Sequence, residues 1–362
     1  MRSAANARDA NIVRGVWVEM DDTATSTVGT APKAIVHGGN IDDVRRRYPR
    51  APEPWIDLST GINPLPYPFA PVPPQTWSRL PTGADQLALL QSAARRYRID
   101  ELASIVAAPG TQALVQLIPR CVQPCRVAIL GPTYEEFALC WRRQGHTVHD
   151  VSEFDALAGG DVAVVVNPNN PSGKTLPRAA LCSLAASLAS RGGMLLVDEA
   201  FIEAGNAQES VAPNLPPGTV VLRSFGKIYG LAGVRLGFVV AAAEFAARLR
   251  AELGPWAVSG PAIALGIGAL DDDAWLAGAR QRLARDGSRL DAMLQRANCS
   301  IVGGTLLFRL AAAPEAATLA DRLARHGIHV RRFAYAPSWL RFGLPGSDEA
   351  WRRLDAALAA DA

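Results

Sequence analysis

The stretch SFGKIYGLAGVRLG, residues 224–237, decides how this chain is interpreted. Lys227 is followed by small, flexible residues, and Arg235 lies further along the same stretch. An amine, a hydroxyl and a cation in one short segment suit an aldehyde cofactor that also carries a phosphate. We therefore expect Lys227 to hold the aldehyde, and Ser224 and Arg235 to contact the phosphate.

An acidic residue at the end of an apolar segment supplies the remaining group. In MLLVDEAF, residues 194–201, four apolar residues precede Asp198, which is typical of a buried strand that ends in an acid. Ligands of open α/β sheets collect at that edge. A carboxylate there can keep a pyridine nitrogen protonated, so that the ring accepts electrons from a bond broken at Cα. Asp198 could instead cap the next helix, but together with Lys227 it predicts a pyridoxal 5′-phosphate site with both residues catalytic.

Strands and helices alternate through the middle of the chain. Residues 161–166 are almost continuous valine and alanine, as a sheet buried on both faces requires. Such alternation predicts an α/β domain whose mainly parallel sheet is flanked by helices. The predicted strands cover residues 100–106, 126–130, 147–151, 161–166, 194–197, 219–222 and 236–241.

The pattern changes after residue 242. Long helices rich in Ala, Leu and Arg are predicted over 243–253 and 274–296 and from Asp348, and short strands over 300–302, 306–310 and 328–331. These elements predict a smaller α+β domain. The whole chain is therefore predicted to have four parts. The first two are a disordered extension (1–30) and an N-terminal arm that contributes to the small domain and the substrate site (31–75). The other two are a large cofactor-binding domain (76–245) and a small C-terminal domain (246–362).

Three further positions suit the cofactor because each follows a predicted strand. Gly110, Thr111 and Gln112 open a helix, where backbone amides and the Thr111 hydroxyl can bind phosphate. Tyr134 can stack on the pyridine ring, and the Asn170 amide can donate to the ring oxygen. Each position also has a purely structural interpretation: Gly110–Gln112 as an ordinary strand-to-helix turn, Tyr134 as a packing residue and Asn170 as a turn residue.

Composition excludes several classes of function. Apolar residues make up 49% and charged residues 20%, and the net charge of +3 is too small to indicate nucleic-acid binding. No apolar stretch approaches the roughly 20 residues of a membrane span. Five cysteines, an odd number, favour a reducing compartment, so we expect a cytoplasmic protein. Cys121 and Cys125 with His146 and His149 lack the spacing of a zinc finger, and no metal is expected.

These motifs together resemble the fold-type-I pyridoxal-phosphate enzymes, in the aminotransferase group that includes histidinol-phosphate aminotransferase. The resemblance covers most of residues 35–345. It implies a large domain with a mainly parallel sheet, a smaller α+β domain and a homodimer whose active sites lie at the subunit interface. The motifs that carry it are Gly110, Tyr134, Asn170-Pro171-Ser172-Gly173, Asp198-Glu199-Ala200-Phe201, Ser224–Lys227, Arg235 and Arg341.

The N-terminal arm gives a narrower resemblance. VHGGN, residues 36–40, and IDLSTGINP, residues 56–64, look like the L-threonine-O-3-phosphate decarboxylases of cobalamin biosynthesis. The resemblance implies that substrate-binding residues are His37, Asn63 and Arg331 for the phosphate and Arg341 for the carboxylate. Guanidinium groups suit both anions of such a substrate.

Two positions depart from the pattern of the relatives. Leu80-Pro81-Thr82 stands where relatives often have Tyr-Pro-Asp, whose tyrosine reaches the cofactor phosphate of the neighbouring subunit. Phe201 stands where many aminotransferases have tyrosine, which removes one hydrogen bond to the ring oxygen. Both changes bear on how tightly the cofactor is held.

The sequence therefore predicts a lyase that decarboxylates L-threonine O-3-phosphate to (R)-1-amino-2-propanol O-2-phosphate. The alternative is a histidinol-phosphate or other amino-acid aminotransferase, which would use the same residues to break the Cα–H bond. A more remote alternative is a non-catalytic scaffold or ligand sensor of this fold. The combination of Lys227, Asp198 and Arg235 argues against the last, because a degraded site would usually lose the lysine first.

Overall fold

The computed structural model describes residues 37–359. The extension predicted over residues 1–30 lies outside them. The strands of the described part are β1 Ile56–Leu58, β2 Ile105–Ala108, β3 Arg126–Leu130, β4 Thr147–Val151, β5 Val162–Val166, β6 Met194–Asp198, β7 Thr219–Ser224, β8 Gly237–Val240, β9 Ser300–Thr305, β10 Phe308–Ala312, β11 Ile328–Arg332 and β12 Trp339–Gly343. The helices are α1 Ile41–Arg47, α2 Pro74–Ser78, α3 Gly83–Tyr97, α4 Thr111–Leu117, α5 Glu136–Arg143, α6 Arg178–Ala189, α7 Ala243–Leu253, α8 Gly260–Leu270, α9 Asp273–Arg296, α10 Ala316–Arg325 and α11 Asp348–Ala359.

A seven-stranded sheet carries the middle of the chain, in the order β2-β8-β7-β6-β5-β3-β4. The pairs from β7 to β4 are all parallel, and β8 runs antiparallel to both of its neighbours. The predicted mainly parallel sheet is confirmed. The first strand is shorter than predicted and begins at Ile105, because residues 102–104 form a 3₁₀ turn.

Helices cover both faces of this sheet. All five residues of β5 are buried. Successive side chains of β6 point to opposite faces of the sheet. Leu195 and Val197 belong to one apolar core, which includes Leu181 of α6, whereas Leu196 belongs to the other, which includes Phe137 of α5. Burial on both faces explains why these strands are uninterrupted runs of apolar residues.

The strand directions bring six carboxyl ends, those of β2 to β7, to one edge of the sheet. β2, β3, β5, β6 and β7 all run in the same direction, since β2 and β7 are both antiparallel to β8. Their carboxyl ends lead into Gly110, Gly131, Asn167, Glu199 and Phe225. The segments predicted to bind the cofactor therefore follow strands that end at the same edge.

A second sheet of five strands has the order β1-β11-β12-β10-β9. β1 comes from the N-terminal arm and pairs parallel with β11, with Ile56 opposite Ile328. β11 and β12 are antiparallel and place Arg331 opposite Arg341. The arm thus adds a strand to the sheet that carries both of these arginines.

The structure contains elements that the sequence did not predict, among them β1, β12 and the helices α8 and α10. α8 has the sequence GPAIALGIGAL, whose glycines lower helix propensity. One of them is required by packing: a Cβ atom on Gly266 would lie 2.7 Å from Leu236 and 2.8 Å from Leu89. The interaction with α3 thus stabilises a helix that local propensity does not favour.

The part of the chain that the structure describes meets neither the requirements of a membrane-spanning helix nor those of a metal site. None of its helices combines the length and apolarity needed to cross a membrane. Its His, Cys, Asp and Glu side chains form no group of three suited to a metal ion. Cys125 and His146 do approach each other, with Sγ 3.4 Å from Nδ1.

A buried ion network joins the ends of β6 and β7. Arg223 donates to Glu199 at 2.9 Å and also pairs with Glu203. Glu199 accepts further hydrogen bonds from the Ser210 hydroxyl at 2.6 Å and the Val211 amide at 2.7 Å. Arg223 and Glu199 are only 4% and 1% exposed, so their charges are compensated by each other and not by water.

Arg223→Ala should therefore lower the free energy of unfolding by about 3–5 kcal/mol, the cost of leaving a buried charge without its partner. Urea denaturation followed by circular dichroism measures the loss. Arg126→Ala is the matched control, because the Arg126–Asp161 pair is exposed and should contribute little. Equal, small effects of the two substitutions would contradict a structural role for the buried network.

Candidate active site

A cavity of about 270 Å³ lies at the carboxyl edge of the large sheet. Every residue predicted to contact the cofactor lines it, together with two of the predicted substrate-binding residues. These lining residues are Gly110, Thr111, Gln112, Tyr134, Asn170, Asp198, Ser224, Lys227, Arg235, His37 and Arg341. Residues from distant parts of the chain thus meet at one site.

Burial sets the protonation of the two central residues. Burial raises the pKa of Asp198 to about 6, and this is partly opposed by the hydrogen bond from the Ala200 amide and by Lys227. Burial also lowers the pKa of Lys227 to about 8, helped by Arg341 and opposed by Asp198. The lysine therefore loses its proton near pH 8 and becomes a nucleophile that can attack an aldehyde.

The predicted phosphate end of the cavity depends on a glycine. Gly110 precedes α4 with a φ of 85°, and a Cβ atom there would lie 2.7 Å from Nη2 of Arg235. Arg235 itself has a φ of 54°, and its Nη1 donates to the Ala232 carbonyl at 3.1 Å. Glycine thus allows a guanidinium group to approach the first residues of α4, where Thr111 lines the cavity.

Tyr134 is held in place by hydrogen bonds. Its hydroxyl donates to Oε1 of Gln112 at 2.9 Å, and Nε2 of Gln112 donates to Oε2 of Glu136 at 3.0 Å. Burial and the nearby Glu136 raise the pKa of Tyr134, so it stays neutral. Glu136 was not predicted; the signal that could have found it is an acid two residues after Tyr134, at the start of a helix.

Arg341 lies on β12 and is 7% exposed. Its Nη2 donates to the Ser59 carbonyl of the N-terminal arm at 2.7 Å, and its Nη1 donates to Oδ1 of Asn170. Its Nε is buried without a hydrogen-bond partner among residues 37–359. Burial and Arg331 lower the pKa of Arg341 to about 10, so it remains a cation near neutral pH. A buried donor without a partner suits an anionic group of a ligand.

The chemistry of this donor set fits pyridoxal 5′-phosphate. All five of the residues concerned line the cavity: Lys227 would provide the amine, Asp198 the carboxylate for the ring nitrogen, and Tyr134 an aromatic face. Ser224 and Arg235 would provide the hydroxyl and the cation that a phosphate requires. Phe201 also lines the cavity, and its ring centroid lies 5.4 Å from Nζ of Lys227.

Asn63 and Arg331 lie beyond the residues that line the cavity. Asn63 is 2% exposed, and its Nδ2 donates to the Ile228 carbonyl at 2.8 Å. Its backbone amide donates to the Lys227 carbonyl at 3.0 Å, so Asn63 supports the loop that carries the lysine. Binding a substrate phosphate would require its side chain to reach the cavity. Arg331 is half-buried on β11, opposite Arg341.

His37 stands at the wall of the cavity with part of its ring exposed. Its Nε2 lies 2.9 Å from Oε1 of Glu136, and its ring centroid lies 6.1 Å from that of Tyr134. The arm therefore brings a histidine to the predicted cofactor pocket, as the resemblance implies.

Comparison with known proteins agrees with this geometry. Residues 74–358 match the family described as aminotransferase class I and II. The chain belongs to this family. The histidinol-phosphate aminotransferase of Sinorhizobium meliloti, solved in complex with pyridoxal-5′-phosphate, superposes with a TM-score of 0.72 at 21% identity and covers 91% of this chain and 95% of its own. The predicted fold-type-I architecture is confirmed.

Two curated relatives are more similar in sequence. The threonine-phosphate decarboxylase of Pseudomonas aeruginosa is 42% identical over 90% of this chain and 97% of its own length. That of a Sinorhizobium species is 45% identical over 90% of this chain and 98% of its own length. These relatives agree with the narrower resemblance drawn from the N-terminal arm.

Lys227 should be the residue that binds the cofactor covalently. The chain contains three lysines, at positions 33, 174 and 227, so borohydride reduction and peptide mapping can identify the attachment site. Because the amine loses its proton near pH 8, uptake of pyridoxal 5′-phosphate by the apoprotein should accelerate as the pH rises through that value. Lys174→Ala, which removes an exposed lysine, is the control. Labelling of Lys174 in the wild type would refute the assignment.

Proposed function

We propose that this enzyme uses pyridoxal 5′-phosphate to decarboxylate L-threonine O-3-phosphate, giving (R)-1-amino-2-propanol O-2-phosphate for cobalamin biosynthesis. One observation carries the proposal: the cavity lined by Lys227 and Asp198 is also lined by His37 and by Arg341, whose Nε has no hydrogen-bond partner among the described residues. The substrate has two anionic ends, and these two groups suit them. The decarboxylases with 42% and 45% identity support the same activity.

Arg341 orients the substrate. Its contacts to Ser59 and Asn170 fix the guanidinium group, and its Nε is left to donate to the substrate carboxylate. By fixing the carboxylate, a guanidinium group held in this way restricts rotation about the bond between the amino nitrogen and Cα. Decarboxylation requires the bond between Cα and the carboxylate to stand perpendicular to the cofactor ring, which when bound would accept the electrons that the departing carbon dioxide leaves behind.

Two buried residues complete the chemistry. Asp198 would supply the carboxylate that keeps the ring nitrogen protonated, and its burial would strengthen their interaction. After carbon dioxide leaves, Cα needs a proton in its place. Lys227 is the proposed donor, because its pKa of about 8 lets its amine gain or lose a proton near neutral pH.

The substrate phosphate is proposed to bind at the outer side of the site. His37 lines the cavity there, and Arg331 lies on the strand next to Arg341. Asn63 is the third proposed ligand: its Nδ2 donates one proton to the Ile228 carbonyl, and its second proton would be donated to the phosphate.

Transamination is the second candidate function, favoured by the match to the aminotransferase family. The same cavity could bind an amino acid with its Cα–H bond, rather than its carboxylate, perpendicular to the ring. Lys227 would then remove the proton. The outcome depends on how Arg341 and the phosphate ligands orient the substrate.

Incubation with L-threonine O-3-phosphate should release carbon dioxide without any keto acid. His37→Ala should weaken the use of this substrate about 10- to 150-fold, because it removes a charge-assisted hydrogen bond worth about 1.5–3 kcal/mol. The absorbance of the lysine-bound cofactor should not change. His149→Ala is the control, since His149 lies exposed on β4.

Transamination predicts a different result. If one addition of amino acid converts the cofactor to its amine form, and 2-oxoglutarate restores it, the enzyme is an aminotransferase. Threonine without phosphate should be a poor substrate for the wild type and for His37→Ala alike.

We further propose that the protein acts in the cytoplasm as a homodimer. All five cysteines are unpaired, which suits a reducing compartment. Several large apolar side chains on the segment from the last part of the arm to the start of α3 are exposed, including Phe69 at 54%, Trp77 at 69% and Leu80 at 64%. A second subunit that covers them would explain this exposure.

Light scattering should accordingly give a mass of about twice the 38.4 kDa of the chain. Leu80→Asp should weaken the dimer, because it would place a charge in an apolar interface. Leu87→Asp on α3, also an exposed leucine, tests whether the effect is specific to this segment. A fully active wild-type monomer would contradict the proposal.

A further inference from the structure

Glu136 connects two parts of the active site. It is the first residue of α5 and is 8% exposed. Its Oε1 lies 2.9 Å from Nε2 of His37, and its Oε2 accepts a hydrogen bond from Nε2 of Gln112 at 3.0 Å. Gln112 in turn accepts from the Tyr134 hydroxyl at 2.9 Å. One carboxylate thus contacts the histidine proposed to bind substrate and, through Gln112, the tyrosine proposed to stack on the cofactor.

The chemistry of these groups fixes the direction of each hydrogen bond. An ionised carboxylate only accepts, so Nε2 of His37 must carry a proton. Nδ1 is then the ring nitrogen left to face a substrate. The amide of Gln112 is fixed in the same way, because Nε2 donates to Glu136 while Oε1 accepts from Tyr134.

Charge supports the same interpretation. Among residues 37–359, no lysine or arginine lies within ion-pair distance of Glu136, and His37 is the basic side chain beside it. To donate from Nδ1 to a phosphate while Nε2 faces Glu136, the imidazole must carry a positive charge. Glu136 balances that charge and restricts rotation of the ring.

We propose that Glu136 is a positioning residue for recognition of the substrate phosphate. It holds His37 with Nδ1 free to donate, and it fixes this histidine relative to Gln112 and Tyr134. The phosphate of the substrate is therefore recognised at a set position relative to the cofactor. The inference rests on the proposed function and extends it to a residue that contacts neither reacting atoms nor substrate.

Glu136→Gln tests this role, because the amide has the same shape and can still accept from Gln112 but loses the charge. Titration of the holoenzyme with L-threonine O-3-phosphate, followed by the visible absorbance of the cofactor, gives a dissociation constant without requiring carbon dioxide release. That constant should rise roughly 10-fold, the lower end of the loss seen when the carboxylate behind a metal-binding histidine is removed. The rate constant at saturation and the spectrum of the free holoenzyme should stay near those of the wild type.

A double-mutant cycle separates positioning from a general structural effect. If Glu136 acts through His37, adding Glu136→Gln to His37→Ala should weaken binding no further. Glu136→Asp keeps the charge and should bind the substrate better than Glu136→Gln. This second variant keeps the proposal testable if Glu136→Gln folds poorly. Glu244→Gln, in the first turn of α7, controls for loss of a negative charge at a helix N-terminus.

The outcomes distinguish the two proposals. Independent, multiplicative losses in the double variant, or an altered spectrum with unchanged substrate affinity, would overturn the role of Glu136 while the decarboxylase function stood. A wild-type enzyme that neither binds nor decarboxylates threonine phosphate would overturn the proposed function, and the role of Glu136 with it.

Discussion

The burial of a lysine and an aspartate at the same edge of one sheet is the constraint on which the site depends. Burial disfavours the charged form of both, which lowers the pKa of Lys227 to about 8 and raises that of Asp198 to about 6. Parallel pairing of β6 with β7 keeps their segments adjacent. The buried Glu199–Arg223 pair ties the same strand ends together. A cofactor with an aldehyde and a basic ring nitrogen suits such a pair, because it uses the neutral amine and the carboxylate at once.

The other half of the site comes from the five-stranded sheet and the arm. Arg341 on β12 reaches Ser59 of the arm and Asn170 in the loop after β5, so one guanidinium group contacts two separate segments. His37 of the arm contacts Glu136 at the start of α5. The residues proposed to bind the two anionic ends of the substrate therefore come from the arm and the second sheet, whereas those proposed to bind the cofactor lie at or after the ends of strands of the large sheet.

All the predicted cofactor residues line one cavity, whereas only two of the four predicted substrate residues do, and the difference has a physical reason. Gly110, Asp198 and Ser224 lie at or just after the ends of strands that one sheet aligns, so local patterns place them together. The contact of His37 with Glu136 and the pairing of β1 with β11 join distant parts of the chain, which no local pattern reveals. The prediction that Asn63 binds the substrate phosphate rests on the resemblance alone. Its side chain contacts the backbone of Ile228.

The most direct test of the central claim is the turnover of Asp198→Asn. The amide keeps the shape of the side chain but cannot stabilise a protonated ring nitrogen. Lys227 should still bind the cofactor and give its visible absorbance, while carbon dioxide release from threonine phosphate should fall on the order of 10²–10³-fold, as when one preorganised charge-stabilising group is removed from an active site. Near-wild-type turnover with normal cofactor binding would show that the buried carboxylate is not needed for the reaction.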